Sequence, residues 1–247
     1  MSADHENFFI GWSDRVPKGH GGFLLRCCLG FLATMLLLAL GLAGTMDDAG
    51  GGGPVAAEEQ VLRGIVTSAP YALLHLPPDA RHPDGHVVML TMIGKYPVMV
   101  PKELDGQGVE ARGWLIRRGS MDMLQMTADL AGATVAMPPM RVERLGRWRI
   151  TGEICDGQCY VGLMRPGTGI AHRACANFCL MSGVPPVFVA TAPVGGTSFL
   201  MLADAGGGMP GDAMYDYVGL RVRLDGEVER RGDVLIFRAD LRTAHVP

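Results

Sequence analysis

The feature that most constrains this chain is an internal repeat whose second copy carries an excess. Gly113-Trp-Leu-Ile-Arg-Arg-Gly119 is followed by Ala128-Asp-Leu130, and Gly226-Glu-Val-Glu-Arg-Arg-Gly232 by Ala239-Asp-Leu241. Arg-Arg-Gly thus recurs 113 residues on. The starts correspond too: Arg63-Gly64-Ile65-Val66 resembles Thr151-Gly152-Glu153-Ile154, 88 residues on. Two pairs of matching stretches in the same order point to two copies of one folding unit. The second copy is about 25 residues longer between these marks, and the excess holds every cysteine outside the N-terminal apolar run: Cys155, Cys159, Cys175 and Cys179, with His172 among them.

Each copy reads as five short strands. In the first these are Val61–Thr67, a hairpin of His86–Ile93 and Tyr96–Val100 about a Gly94-Lys95 turn, Val109–Arg117 and Met121–Leu130. In the second they are Trp148–Ile154, Val187–Thr191, Ser198–Ala203, Leu220–Glu229 and Val234–Leu241, with a helix or turn at Asp212–Val218. High glycine content, 35 residues, suits short strands and turns. Five strands with a connector after the third predict a small closed barrel of the OB type. The expected class is mainly β: an N-terminal transmembrane helix and two OB-like five-stranded barrels, the second with a helical insert. The expected divisions are a cytoplasmic segment 1–22, a membrane helix 23–46, a Gly-rich linker 47–57, a first barrel 58–136, a linker 137–146 and a second barrel 147–247 with the insert at 155–186.

The membrane helix rests on Cys27–Met46, 20 residues without a charge. At 1.5 Å per residue such a run spans about 30 Å, the thickness of the hydrocarbon layer. Arg15, Lys18 and Arg26 precede it; Asp47, Asp48, Glu58 and Glu59 follow. The positive-inside rule then keeps the N-terminus cytoplasmic and exports the rest, which predicts a single-pass inner-membrane protein with periplasmic domains. A net charge of −3 and an aromatic content of 6% offer no nucleic-acid footprint. Partners are expected among membrane redox or metal-handling subunits.

Within the insert, Ile170–Met181 has helical composition, with Thr168 as N-cap and Ser182-Gly183 as stop. On a helix His172, Cys175 and Cys179 fall at i, i+3 and i+7, on one stripe, with Arg173 and Asn177 turned to solvent. Three chemistries fit. Four cysteines in an oxidising compartment make two bridges, Cys155–Cys179 and Cys159–Cys175. Thiolates and imidazole at Cys155, Cys159, His172, Cys175 and Cys179 suit zinc, copper or an iron centre. A third option is thiol redox chemistry, with His172 beside Cys175. The stapled binding module is the first expectation, the metal or redox site the alternative. No hydrolase, nucleotide, zincin or haem motif is present, so no catalytic residue is assigned.

Gly152-Glu-Ile-Cys-Asp-Gly-Gln-Cys-Tyr160, His172-Arg-Ala-Cys-Ala-Asn-Phe-Cys179 and Ser182-Gly-Val-Pro-Pro186 resemble a segment of uncharacterised bacterial membrane-anchored proteins. In these a Cys-Tyr…His-x2-Cys-Ala-x2-Cys motif stands beside a small β-barrel. The resemblance implies that the segment is a unit and implies no reaction. Two weaker signals are His75, His82 and His86, read as solvated loop histidines, and the methionines of the strands, read as core.

Overall fold

The computed structural model describes residues 19–45, 52–138, 141–162 and 164–247. Most of the expected cytoplasmic segment, residue 46 at the end of the expected membrane helix, residues 47–51 of the linker, Pro139-Met140 and Leu163 lie outside them. Two compact units are present, divided after Asp48. The first holds α1 (Gly21–Thr45), of which Gly21–Ala43 is long and apolar enough to cross a membrane. Its side chains are exposed as far as Ala43.

The second unit is almost all β. In chain order its strands are β1 (Gly53–Pro54), β2 (Gln60–Thr67), β3 (Leu73–Leu76), β4 (His86–Met92), β5 (Gly108–Arg118), β6 (Met121–Met126), β7 (Ala131–Gly132), β8 (Val142–Asp156), β9 (Pro186–Val194), β10 (Thr197–Asp204), β11 (Arg221–Arg231) and β12 (Val234–His245). Two helices, α2 (Gly157–Val161) and α3 (Ile170–Met181), lie between β8 and β9. A 3-10 turn at Asp212–Asp216 precedes β11. β8 to β12 form a closed five-stranded barrel in the order β10-β12-β11-β8-β9. β1 to β7 form a seven-stranded sheet in which β5 pairs with β2 through Gly108–Gly113 and with β6 through Gly113–Arg118. β2, β3, β4, β6 and β5 are neighbours in the same sequence as β8, β9, β10, β12 and β11. The parallel pair β4–β6 has its counterpart in the parallel pair β10–β12.

The repeat glycines have a physical cause. A Cβ on Gly113 would stand 2.2 Å from the Gln125 carbonyl oxygen, and one on Gly226 2.4 Å from that of Arg238. β5 passes from β2 to β6 at Gly113, whereas Gly226 is paired to β8 and β12 at once; at both, only glycine lets the backbones approach so closely. Gly119 and Gly232, which end the Arg-Arg-Gly triplets, open the next hairpin turn at φ +57° and +55°.

Burial explains the strand compositions. Leu74, Val88, Leu90, Val109, Leu124 and Met126 fill the first half, and Ile150, Ile154, Phe188, Leu200, Leu224 and Phe237 fill the barrel. On the opposite face Leu73, Val87, Met89 and Met123 pack against Tyr160, Val187, Met201 and Ile236, a third cluster that joins the halves. β4 is therefore apolar on both faces, without the alternation of a half-solvated strand.

Several expectations change. Tyr96–Val100 is no strand: only a Met92–Tyr96 bridge forms, and Pro97 has no N–H to offer a ladder. The missing strand is β3, whose Leu73–Leu76 is too short, between Pro70 and Pro77, for its pattern to stand out. β6 stops at Met126. β8 begins at Val142, so the expected linker 137–146 gives its last residues to a strand paired with β11. Gly169, not Thr168, caps α3, at φ +76° and with no side-chain bond.

Candidate metal centre

β8 ends at Asp156, which is buried and caps α2: its Oδ1 accepts from the Cys159 backbone N–H at 2.7 Å. One turn of helix thus sets the Cys159 sulfur at the base of the insert. α3 then brings its inner stripe over it. Ala176 and Leu180 seat the helix in the barrel core, which fixes its rotation and turns His172, Cys175 and Cys179 toward Cys159. Donor atoms of Cys159, His172 and Cys175 lie within 4.8 Å of one another, as do those of Asp156, Cys159 and Cys179. The Cys159 and Cys179 sulfurs are 4.0 Å apart.

His172 is buried, and its Nε2 lies 2.9 Å from Asp156 Oδ2. With one ring nitrogen so held, the other is left as the ligating atom, the usual device by which a carboxylate orients a metal-binding imidazole. Asp156 therefore fixes two of the donors, Cys159 through the cap and His172 through the ring.

The first half adds a cation. Lys95, in the Gly94-Lys95 turn with φ +67°, places its Nζ 3.4 Å from Cys175 Sγ. Burial disfavours its charge, but the bond to Cys159 and the neighbouring Cys179 and Cys175, once these are thiolates, outweigh burial and raise the ammonium pKa. Gln158 Nε2 donates to the Met92 carbonyl at 3.2 Å and fastens the same loop.

Burial, and then Asp156, push the thiol of Cys159 well up against the pull of Lys95; the same two causes raise Cys179. Such thiols stay protonated in the free protein and are poor nucleophiles. They become thiolates when a metal displaces the protons. Cys155, Cys159, Cys175 and Cys179 are all free thiols here.

Of the five expected residues, the fold groups Cys159 with His172 and Cys175 in one triad and with Cys179, beside Asp156, in another. Cys155 is directed elsewhere, into the cluster between the halves, with its sulfur 3.4 Å from Glu153 Oε1. Burial first, then Glu153, raises its thiol pKa. Arg173 and Asn177 are half-buried rather than fully open to solvent: they donate to the carbonyls of Asp216 and Tyr215 and tie α3 to the 3-10 turn. His75 and His86 are buried, contrary to the solvated reading, while Met89, Met121, Met123 and Met126 are core as expected.

Sequence reasoning missed Asp156 and Lys95. Asp156 had a local signal, an Asp three residues before Cys159 at a helix start. Lys95 had none, since it arrives from the other half. Comparison of the chain with protein-family models, with curated proteins and with solved structures returns no match.

Proposed function

We propose that this chain is a membrane-anchored, exported metal-binding protein, an accessory subunit of a redox or metal-handling system. It is built from two OB-like barrels, and α1 serves as its single membrane span. Its centre is Cys159, His172, Cys175 and Cys179, with Asp156 orienting the imidazole and Lys95 offsetting the thiolate charge.

The observation that carries this is a pair of donor triads that share Cys159, one with His172 and Cys175 and one with Cys179 and Asp156, the buried Asp156 carboxylate standing behind the ring. A Cys3His set satisfies tetrahedral zinc, and the same donors suit iron and copper. Three thiolates around a divalent ion leave one negative charge, which the Lys95 ammonium balances. The identical neighbour sequence of β2–β6 and β8–β12 favours the paired-barrel reading. The insert then occupies the loop between the first two strands, a usual ligand-binding loop of that fold.

A second reading is a dithiol couple, favoured by the 4.0 Å contact of Cys159 with Cys179. Purification of the full chain without oxidation, followed by metal analysis and a count of alkylatable thiols, separates the two. The metal reading expects one thiolate-bound equivalent, lost alike in His172→Ala and Cys175→Ser. Two intact bridges with no bound metal would overturn it.

A further inference from the structure

A second cluster stands where the halves meet, and it shares no residue with the thiolate centre. The loop between β3 and β4 supplies His82, β4 supplies His86, and the turn between β11 and β12 supplies Asp233. The imidazoles lie nearly parallel, 4.1 Å between centroids and 18° between planes.

Each ring has one nitrogen held from outside. His82 Nδ1 is 3.2 Å from Asp79 Oδ1, and the same oxygen accepts from the backbone N–H groups of Arg81 and His82 at 2.7 Å each. His86 Nε2 is 3.0 Å from Asp122 Oδ2, and Asp122 is gripped by Arg117 through Nε at 2.7 Å and Nη2 at 2.6 Å. The inner nitrogens both turn to a single oxygen. His86 Nδ1 is 2.5 Å from Asp233 Oδ2, and His82 Nε2 is 3.7 Å from it. The other oxygen of Asp233 accepts from the Val87 N–H at 2.9 Å, so the carboxylate cannot swing away freely.

A shared proton accounts for His86 between two carboxylates. It does not account for His82, whose inner nitrogen stops short of hydrogen-bond distance although its outer one is anchored. Two imidazoles with carboxylates on their outer nitrogens, converging on a third carboxylate, are the ligand shell and the orienting shell of a metal site. We infer that His82, His86 and Asp233 bind a divalent transition metal of the zinc and cobalt class, with Asp79 and Asp122 orienting the rings.

Three protein ligands leave a coordination position for water or a further ligand. The side chains of His82 and Asp233 are 22% and 27% exposed, which gives the ion a way in. A cleft of about 170 Å³ lined by Gly85, His86, Arg141 and Gly232 adjoins the site. Binding displaces the proton between His86 and Asp233 and splays the stacked rings, so that both lone pairs meet the ion at about 2.0–2.1 Å. His82 and His86 belong to the first half and Asp233 to the second, so the ion cross-links them.

The test titrates the full chain in detergent with Co²⁺, whose thiolate complexes give intense charge-transfer absorption and whose imidazole–carboxylate complexes do not. Wild type takes two equivalents, one without charge transfer. His82→Ala takes one, with charge transfer intact. Asp79→Asn weakens the second site by roughly tenfold. In a Cys159→Ser, Cys175→Ser background one equivalent remains, silent in charge transfer, and His82→Ala removes it. The proposal is overturned if wild type takes only the thiolate-bound equivalent, or if the silent equivalent survives His82→Ala. Loss of charge transfer alone would instead count against the thiolate centre.

Discussion

Asp156 joins the local fold to the chemistry of the centre, because one carboxylate both starts α2 and holds His172. The two roles separate by substitution. Asp156→Asn preserves the cap, since Asn serves as well at that position, but loses the charge behind the ring. Metal retention should weaken by roughly 10–100-fold, measured by chelator competition, with little change in the melting temperature. Asp156→Ala also strands a buried imidazole nitrogen and a helix N–H, and should destabilise the fold by about 1–3 kcal/mol. His75 supplies a pH dependence. Burial, and then Arg231, lower its pKa to about 4. Unfolded, it titrates near 6.5, so between these values the unfolded chain binds the extra proton. Stability should therefore fall as pH drops from about 6.5 to about 4, by on the order of 3 kcal/mol at most. His75→Gln, which cannot titrate, should flatten that limb in urea melts taken at several pH values; an unchanged limb would count against the buried neutral ring.

At the scale of elements, the doubled glycines are points where a partner strand's carbonyl crowds the Cβ position, and that constraint is the same in both halves. Gly113→Ala and Gly226→Ala should each cost roughly 1–3 kcal/mol, because the added methyl meets a backbone carbonyl that cannot rotate away. Gly211→Ala is the control: nothing lies within 4 Å of its Cβ position, and it should stay within about 0.5 kcal/mol of wild type. Equal losses at all three positions would mean that general backbone entropy, not close approach, explains the repeat. α3 differs in kind from the strands. Its inner stripe is divided between barrel core, through Ala176 and Leu180, and the candidate centre, through His172, Cys175 and Cys179. The packing that seats the helix therefore also aims the ligands.

For the whole molecule, the two halves share one buried cluster and contribute jointly to two candidate sites. Lys95 of the first half reaches the cysteines of the second, and Asp233 of the second reaches the histidines of the first. The proposed export follows from charge asymmetry about α1. A reporter fused after Pro247 should be active only outside the cytoplasm, and activity only inside would reverse the orientation. The thiolate centre would then face an oxidising compartment, where a bound metal protects its sulfurs.

What the sequence by itself determined is local or periodic. The apolar run specifies α1, the five strands of the second half are legible although β8 begins six residues before its expected Trp148, and composition and stop signals specify α3 at Ile170–Met181. The stripe of His172, Cys175 and Cys179 follows from helical spacing alone. The repeat anticipated two related halves, and its glycines mark close backbone approaches. Tertiary structure decided the rest. β3 is defined by its neighbours β2 and β4 and has too few residues to signal itself. Cys155, four residues from Cys159, points away because β8 ends and α2 begins between them, which changes the direction of successive side chains. Lys95 and Asp233 enter their sites across the interface between the halves. No pattern along the chain records that, since the pairing energy arises only once both halves have folded and met.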